Sequence, residues 1–275
     1  MKTPLILVVG TLAIDQITTT RDSLPAANVK LTGWHTRFGG CGANLAWNFA
    51  RLRQPHRFFG YLGGDGGAYL DHLLLAGAEI RGIKGVSAER TAQAFITTDP
   101  AGNQFTAFQP LDVPLARFVG DLEAELKSNP PKAVIIAPDV PERMLAASRA
   151  IRSLCPLICY PGQYTRHLGA DAASELFALS DLVFQNASEH RAKPARAKDL
   201  TVVTDGANPV RILSGDTDQS VPVPRAPMVD PTGCGDAFAA AFTQVWLEGG
   251  SPHHAAIAGI EWAQRCLAVA GSQSH

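Results

Sequence analysis

The sequence predicts an α/β fold: a mostly parallel sheet covered by helices on both faces, with a smaller sheet outside it. Three observations carry this expectation. Short apolar, β-branched runs recur along the chain, and helix-like segments lie between many of them. The runs are continuous rather than alternating, as in strands buried on both faces of a parallel sheet. Two regions break the rhythm: residues 11–38 are polar without helical period, and residues 91–110 alternate.

The elements follow in order. "LILVV" (5–9) predicts a buried first strand. A signal-peptide core is disfavoured, because a glycine and an acidic residue soon follow and no small-residue cleavage site appears. A helix is expected over 42–53, a strand at 57–63 ("RFFGYLG") and a helix over 68–76. "TAQAFITTDPAGNQFTAFQP" (91–110) reads as a hairpin turning at "DPAGN", with a strand at 94–98. With 11–38 it is expected to form one small antiparallel sheet, a lid over the ends of the parallel strands, where open α/β sheets bind ligands. Further strands are expected at 133–137, 157–160, 182–186, 200–204 and 210–213. Further helices are expected over 141–154, 171–179, 235–248 and 253–269. The expectation is a single domain, 1–275, whose lid comes from about 11–38 and 91–110.

With 275 residues, 46% hydrophobic and 18% charged, the chain can bury a sizeable core. A net charge of -1 gives no footprint for nucleic acid or an anionic membrane. No run of 18 apolar residues occurs, so no membrane-spanning helix is expected. The five cysteines, Cys41, Cys155, Cys159, Cys234 and Cys266, are odd in number and include no CxxC. Cys155 and Cys159 in "CPLIC" are expected on one face of a strand, as small buried residues rather than metal ligands. The cytoplasm is the expected compartment.

The stretch that carries chemistry is "DPTGCGDAF" (230–238), a glycine-rich turn running into a helix. Gly233 and Gly235 let the backbone adopt positive φ and approach a ligand. The helix start offers N–H groups and the positive end of its dipole, an anion site suited to phosphate. A capped turn is the alternative local reading, but it leaves Gly-Cys-Gly unexplained. A carboxylate at that anion site, Asp236, suits a general base that takes a proton from a hydroxyl attacking the phosphoryl group. The stretch is not a Walker loop, since GxxxxGK[ST] is absent; nor does GxGxxG follow the first strand, which excludes a dinucleotide-dependent oxidoreductase.

"VDPTGCGDAF" closely resembles the second signature of the ribokinase-like (PfkB-type) sugar and nucleoside kinases. Other segments agree, in the family's order. "GTLAID" (10–15) resembles its first strand and sugar-binding aspartate, and "FGGCGANLAWNFARL" (38–52) its glycine pair, asparagine and helix. "YLGGDGGAYLDHLLLAGAEI" (61–80) resembles its Gly-x-Asp segment, "NASE" (186–189) its Asn-x-x-Glu motif, and "VVTDGANPV" (202–210) its ATP-holding strand and turn.

The resemblance implies a Rossmann-type three-layer α/β/α sandwich with a β lid, and ATP-dependent phosphoryl transfer. Asp236 would be the catalytic base, and Gly233, Cys234 and Gly235 would supply N–H groups to the transferred phosphoryl group. Asn186 and Glu189 would organise Mg²⁺ through waters. Asn186, Thr204 and Gly206 would contact ATP; Asp15, Gly39, Gly40 and Asn44 would grip the acceptor's hydroxyls. Asp230 would help hold a monovalent cation such as K⁺, as in some relatives.

"NQFTAFQP" and "YPGQY" are similar to segments of bacterial adenosine kinases, which points to the 5′-hydroxyl of adenosine. A free sugar such as ribose or fructose is the alternative acceptor, and a weakly catalytic nucleoside- and ATP-binding regulatory protein the alternative of another class. Phe105 and Phe108 fall on opposite faces of a strand, so one of them, taken as Phe108, is expected to stack on a base. Two departures stand out: Tyr160 where those relatives commonly carry aspartate, and Asp205 where many carry a basic residue. No macromolecular partner is implied, and both monomers and lid-mediated dimers occur in the family.

Overall fold

The computed structural model of the chain describes residues 5–101 and 103–275; Gly102, in the expected "DPAGN" turn, lies outside the described residues, as do residues 1–4. The first half runs β1 (Ile6–Val9), β2 (Ala13–Thr20), β3 (Leu31–Gly39), α1 (Cys41–Arg51), β4 (His56–Gly63), α2 (Gly67–Leu75), β5 (Gly82–Val86), β6 (Ala92–Thr98) and β7 (Gln104–Gln109). The second half runs α3 (Leu115–Ser128), β8 (Ala133–Ile136), α4 (Pro141–Ile151), β9 (Leu157–Cys159), a 3₁₀ turn (Gly162–Arg166), α5 (Ala170–Leu179), β10 (Leu182–Asn186) and α6 (Ala187–Ala192). It ends with β11 (Leu200–Asp205), β12 (Asn208–Ser214), β13 (Thr217–Val221), α7 (Cys234–Leu247) and α8 (Pro252–Leu267).

The large sheet has the order β13-β12-β11-β10-β9-β8-β1-β4-β5. From β11 to β5 all neighbours are parallel, while β12 and β13 extend it as antiparallel strands. Alternation along β1 divides the core. Ile6 and Val8 face a cluster with Phe49, Tyr69, Phe238 and Phe242 from α1, α2 and α7. Leu7 and Val9 face the other side, with Phe118, Met144, Leu176 and Phe177 from α3, α4 and α5. Both faces of the strand are therefore apolar, which is why the run is continuous; each fully buried side chain of this size contributes about 1.5–3 kcal/mol. The result is a three-layer α/β/α sandwich.

The small sheet has the order β3-β2-β6-β7 and is not antiparallel throughout. β2 pairs with β6 in parallel, and each carries an antiparallel partner. The reason is topological. β2 leaves the carboxyl end of β1 and β6 leaves that of β5, and those two strands run the same way, so their continuations do too.

Some elements lie outside the sequence expectation. Strand β5 ("GIKGV") holds two glycines and β13 ("TDQSV") is largely exposed, so neither has a strong apolar signature. Helix α3 did carry one: Phe118, Leu122 and Leu126 recur every four residues and are buried. The expected strand at 157–160 is shorter, and Cys155 precedes it; both Cys155 and Cys159 nonetheless pack on the same side of the sheet. All five cysteines are free, and no helix among the described residues is long and apolar enough to cross a membrane.

Candidate active site

The carboxyl ends of the parallel strands β1, β9, β10 and β11 present Gly10, Tyr160, Asn186 and Thr204 along one edge. The helix N-termini of α1 and α7 meet at that edge. Gly40 caps α1 at φ 87°, and a side chain there would come within 2.6 Å of the Ala13 backbone nitrogen. Only glycine permits this approach, which lets the Ala43 N–H bond Thr11 O at 3.2 Å. Gly233 caps α7 in the left-handed region at φ 82°, and a Cβ there would lie 2.3 Å from that of Ser272.

No side chain caps α7. The first bond to the Gly233 carbonyl comes from the Ala237 N–H, at 2.9 Å. Of the three residues expected to offer N–H groups to phosphate, Cys234 turns its own onto Pro231 O at 3.2 Å, which removes it from that role in this arrangement. The Gly235 and Asp236 N–H groups open the helix, where α-helical bonding supplies no partner.

Asp236, 4% exposed, stands on this first turn. Its Oδ2 accepts the Asn44 Nδ2 hydrogen at 2.7 Å. Its Oδ1 is buried without an aligned hydrogen-bond partner, and the Cys41 thiol and the Tyr160 hydroxyl lie near the carboxyl group. Burial pushes the carboxyl up to about 6, against the donors Asn44, Cys41 and Tyr160, which favour its charged form. A base with that affinity is ionised at neutral pH and still able to take a proton.

The residues expected to grip an acceptor divide into two groups. Asp15 lies on β2 beside Gly39, where a Cβ would sit 2.1 Å from its Oδ2. Burial, and then the charge of Asp236, raise its carboxyl to about 7, so the two carboxylates sense one another. Asn44 is buried rather than presented to a cleft. Its Nδ2 is given to Asp236, and its Oδ1 accepts from Ser272 Oγ at 3.1 Å and Gln273 Nε2 at 2.7 Å. Phe108 shares a sheet face with Asp15 and packs edge-on against Tyr164 at 6.2 Å, while Phe105 points to the opposite face, 58% exposed.

"NASE" forms a reciprocal capping box at the start of α6. Asn186 Oδ1 accepts from the Glu189 N–H at 2.9 Å, and Glu189 accepts from the Asn186 N–H at 2.9 Å and its Nδ2 at 2.7 Å. Burial raises the Glu189 carboxyl, and the charge of Asp236 adds to this. Among the described residues no cluster of three or more His, Cys, Asp or Glu could cage a metal. Of the pair expected at Mg²⁺, Asn186 and Glu189, the Glu189 carboxylate has the oxygen chemistry that suits an ion held mainly by water and phosphate oxygens, and both its oxygens already accept from Asn186.

Thr204 pairs with Asn186 across β11 and β10, and Gly206 turns the chain at φ 58° in open space. Asp205 is exposed and accepts from Asn208 at 3.0 Å. Asp230 has both oxygens engaged, by the Thr232 and Gly271 N–H groups at 2.9 Å each. Burial alone would raise its carboxyl, but these bonds and the charge of Arg37 hold it below the usual range.

Sequence reasoning did not mark Cys41 as part of this site. Burial pushes its thiol well up, and the charge of Asp236 adds to this. Tyr160, read only as a departure, reaches over Gly235: its hydroxyl lies 2.7 Å from where a Cβ would stand. Its position after β9 signalled the edge; its reach depended on the Phe184 ring, which packs edge-on beneath it at 6.4 Å.

The family model for "pfkB family carbohydrate kinase" matches residues 3–275. A nucleoside kinase of Methanothermobacter thermautotrophicus is 29% identical over 89% of this chain and 83% of its own length. The solved nucleoside kinase of Burkholderia thailandensis in complex with inosine superposes with a TM-score of 0.86 at 25% identity, over 98% of this chain and 93% of that one. The ribokinase of Thermotoga maritima shares the fold, with a TM-score of 0.81 at 22% identity over 98% and 95% of the two chains. The chain belongs to the pfkB family of carbohydrate kinases, has the ribokinase-like fold and is an ATP-dependent kinase.

Proposed function

We propose that the protein transfers the γ-phosphoryl group of ATP to the 5′-hydroxyl of a purine nucleoside, adenosine or inosine. The observation that carries this reading is Asp236 Oδ1: a buried carboxylate oxygen with no aligned partner, on the first turn of an uncapped helix. A hydroxyl donated to that oxygen stands beside N–H groups able to receive a phosphoryl group. Asp236 takes the proton as the oxygen attacks, and the α7 N-terminus balances the charge on the phosphoryl oxygens. Asp15, facing the same space, accepts ribose hydroxyls. Asn186, Thr204 and Gly206 would border the nucleotide, and Asn186 and Glu189 would hold Mg²⁺ through waters; that ion would neutralise charge on the phosphates. The nucleoside choice is supported by the relatives, which are nucleoside kinases, one of them solved with inosine.

An ADP-release screen of the purified protein over nucleosides and free sugars tests this. Turnover with adenosine or inosine is expected. Turnover with ribose or fructose and none with nucleosides contradicts the acceptor. Tight binding of adenosine and ATP without any turnover contradicts catalysis itself.

A further inference from the structure

The side chain of Gln273 sits between the base and the sheet that bears Asp15, and its bonding has a fixed direction. A carboxylate only accepts, so Asn44 must turn its Nδ2 to Asp236. Asn44 Oδ1 then faces away and needs a donor. Gln273 Nε2 supplies one hydrogen to it at 2.7 Å and its other to the Tyr69 hydroxyl oxygen at 2.8 Å. With its oxygen accepting, Tyr69 donates its own hydrogen to Gly39 O at 2.5 Å. Each hydrogen bond along Gly39–Tyr69–Gln273–Asn44–Asp236 thereby has its donor assigned, although the Gln273 Oε1 is buried without a partner, and reversing Gln273 would turn that oxygen onto the Asn44 Oδ1.

We infer that Gln273 is a positioning residue for the phosphoryl-transfer reaction: it locks the Asn44 amide so that its N–H, and not its oxygen, faces the base. The inference rests on Asp236 being that base. Three features support it. Gln273, Asn44 and Tyr69 are all buried, so water does not substitute for the lost partner. Ser272 Oγ adds a second donor to the same Asn44 oxygen at 3.1 Å, and its Cβ packs where a Gly233 side chain would stand. Tyr69 stacks on Phe38, centroids 4.4 Å apart, which ties the relay to the strand that ends in Gly39. The lock therefore couples the acceptor side of the site to the base. A flipped Asn44 would aim a carbonyl at a carboxylate and raise its proton affinity.

Other groups act on Asp236: Asp15 from β2, Cys41 from α1, Tyr160 after β9, Glu189 from α6, Tyr69 from α2, Cys234 from its own helix and Cys266 from α8. The test leaves all of these in place. Gln273→Met keeps the volume and removes both donated hydrogens. The Asp236 carboxyl is titrated by ¹³C NMR, its resonance identified by its loss in Asp236→Asn, and kcat and KM are measured with adenosine and inosine. In Gln273→Met the Asp236 midpoint is expected to rise by about one pH unit. Turnover is expected to fall about tenfold, with KM changed less than about twofold. In an Asn44→Ala background the same substitution should have no further effect on either readout, because both act through one amide. Either an unchanged midpoint or an unchanged kcat in the folded variant overturns the inference, as does an equal shift without Asn44. Should Gln273→Met not fold, the equally neutral Gln273→Leu is read in the same way. The NMR titration needs no substrate. Wild-type protein inert on every nucleoside therefore refutes the acceptor reading alone, while a static midpoint refutes the positioning role alone.

Discussion

Two helices, α6 and α7, begin at the edge of the parallel strands, and they begin differently. The start of α6 is closed by its own side chains: Asn186 and Glu189 bond each other's N–H groups, and a third bond joins their side chains. The start of α7 is open. Gly233 contributes no side chain, and the carboxylate three residues on points its Oδ1 into the site instead of back at the helix. A closed N-terminus holds its carboxylate still; an open one leaves both the helix dipole and a carboxylate for something else to use. On the proposed reading the second start carries the proton transfer, and the first holds Glu189 in place on the nucleotide side.

The largest effect expected from breaking this contrast is on Asp236. Asp236→Asn should lower kcat by roughly 10²- to 10⁴-fold, the range for losing a general base. It should also stabilise the protein above neutral pH. The carboxyl is raised to about 6 in the fold, so the folded chain holds a proton that the unfolded chain has released. Stability then falls as pH rises from about 4 through about 6, and the neutral amide avoids that loss. Thermal melts of both proteins at about pH 8 and pH 4 check this; the Asn variant should melt higher at the first and lose its advantage at the second.

Gly233→Ala comes next. It meets positive φ and the Ser272 side chain together, so a loss of about 2–4 kcal/mol in urea unfolding is expected, with reduced turnover. Asn186→Ala opens the closed helix. About 0.5–2 kcal/mol should be lost, and the KM for ATP·Mg should rise more than kcat falls. A kcat loss as large as that of Asp236→Asn would erase the distinction between the two starts. The smallest effect on activity is expected at Gly206, whose φ of 58° is unusual but whose surroundings are empty. Alanine there should cost about 1–2 kcal/mol from the positive φ alone, with activity kept within a few-fold.

Much of this was legible in the sequence for physical reasons. Strand β1 reads as buried because both of its faces are apolar, and "DPTGCGDAF" reads as an anion site because glycines precede a helix and an acid. The capping box at "NASE" went unread, although Asn-x-x-Glu is the spacing that lets two side chains cap each other. The rest depended on contacts distant along the chain. Asn44 was visible beside its glycines, but its orientation is set by Ser272 and Gln273, more than two hundred residues on. Nothing in "GSQSH" hints at a link to a helix start near residue 40. The parallel pairing of β2 with β6 was similarly hidden, because it follows from the directions of β1 and β5, not from either strand's own pattern.

The most direct test of the central claim is the pH dependence of single-turnover phosphoryl transfer from ATP to adenosine or inosine, in wild type and Asp236→Asn. The wild-type rate should fall on the acid side with a midpoint near about 6, and Asp236→Asn should lack that limb and remain slow throughout. An Asp236→Asn rate equal to wild type, or an acid limb that persists unchanged without the carboxylate, would show that another group takes the proton.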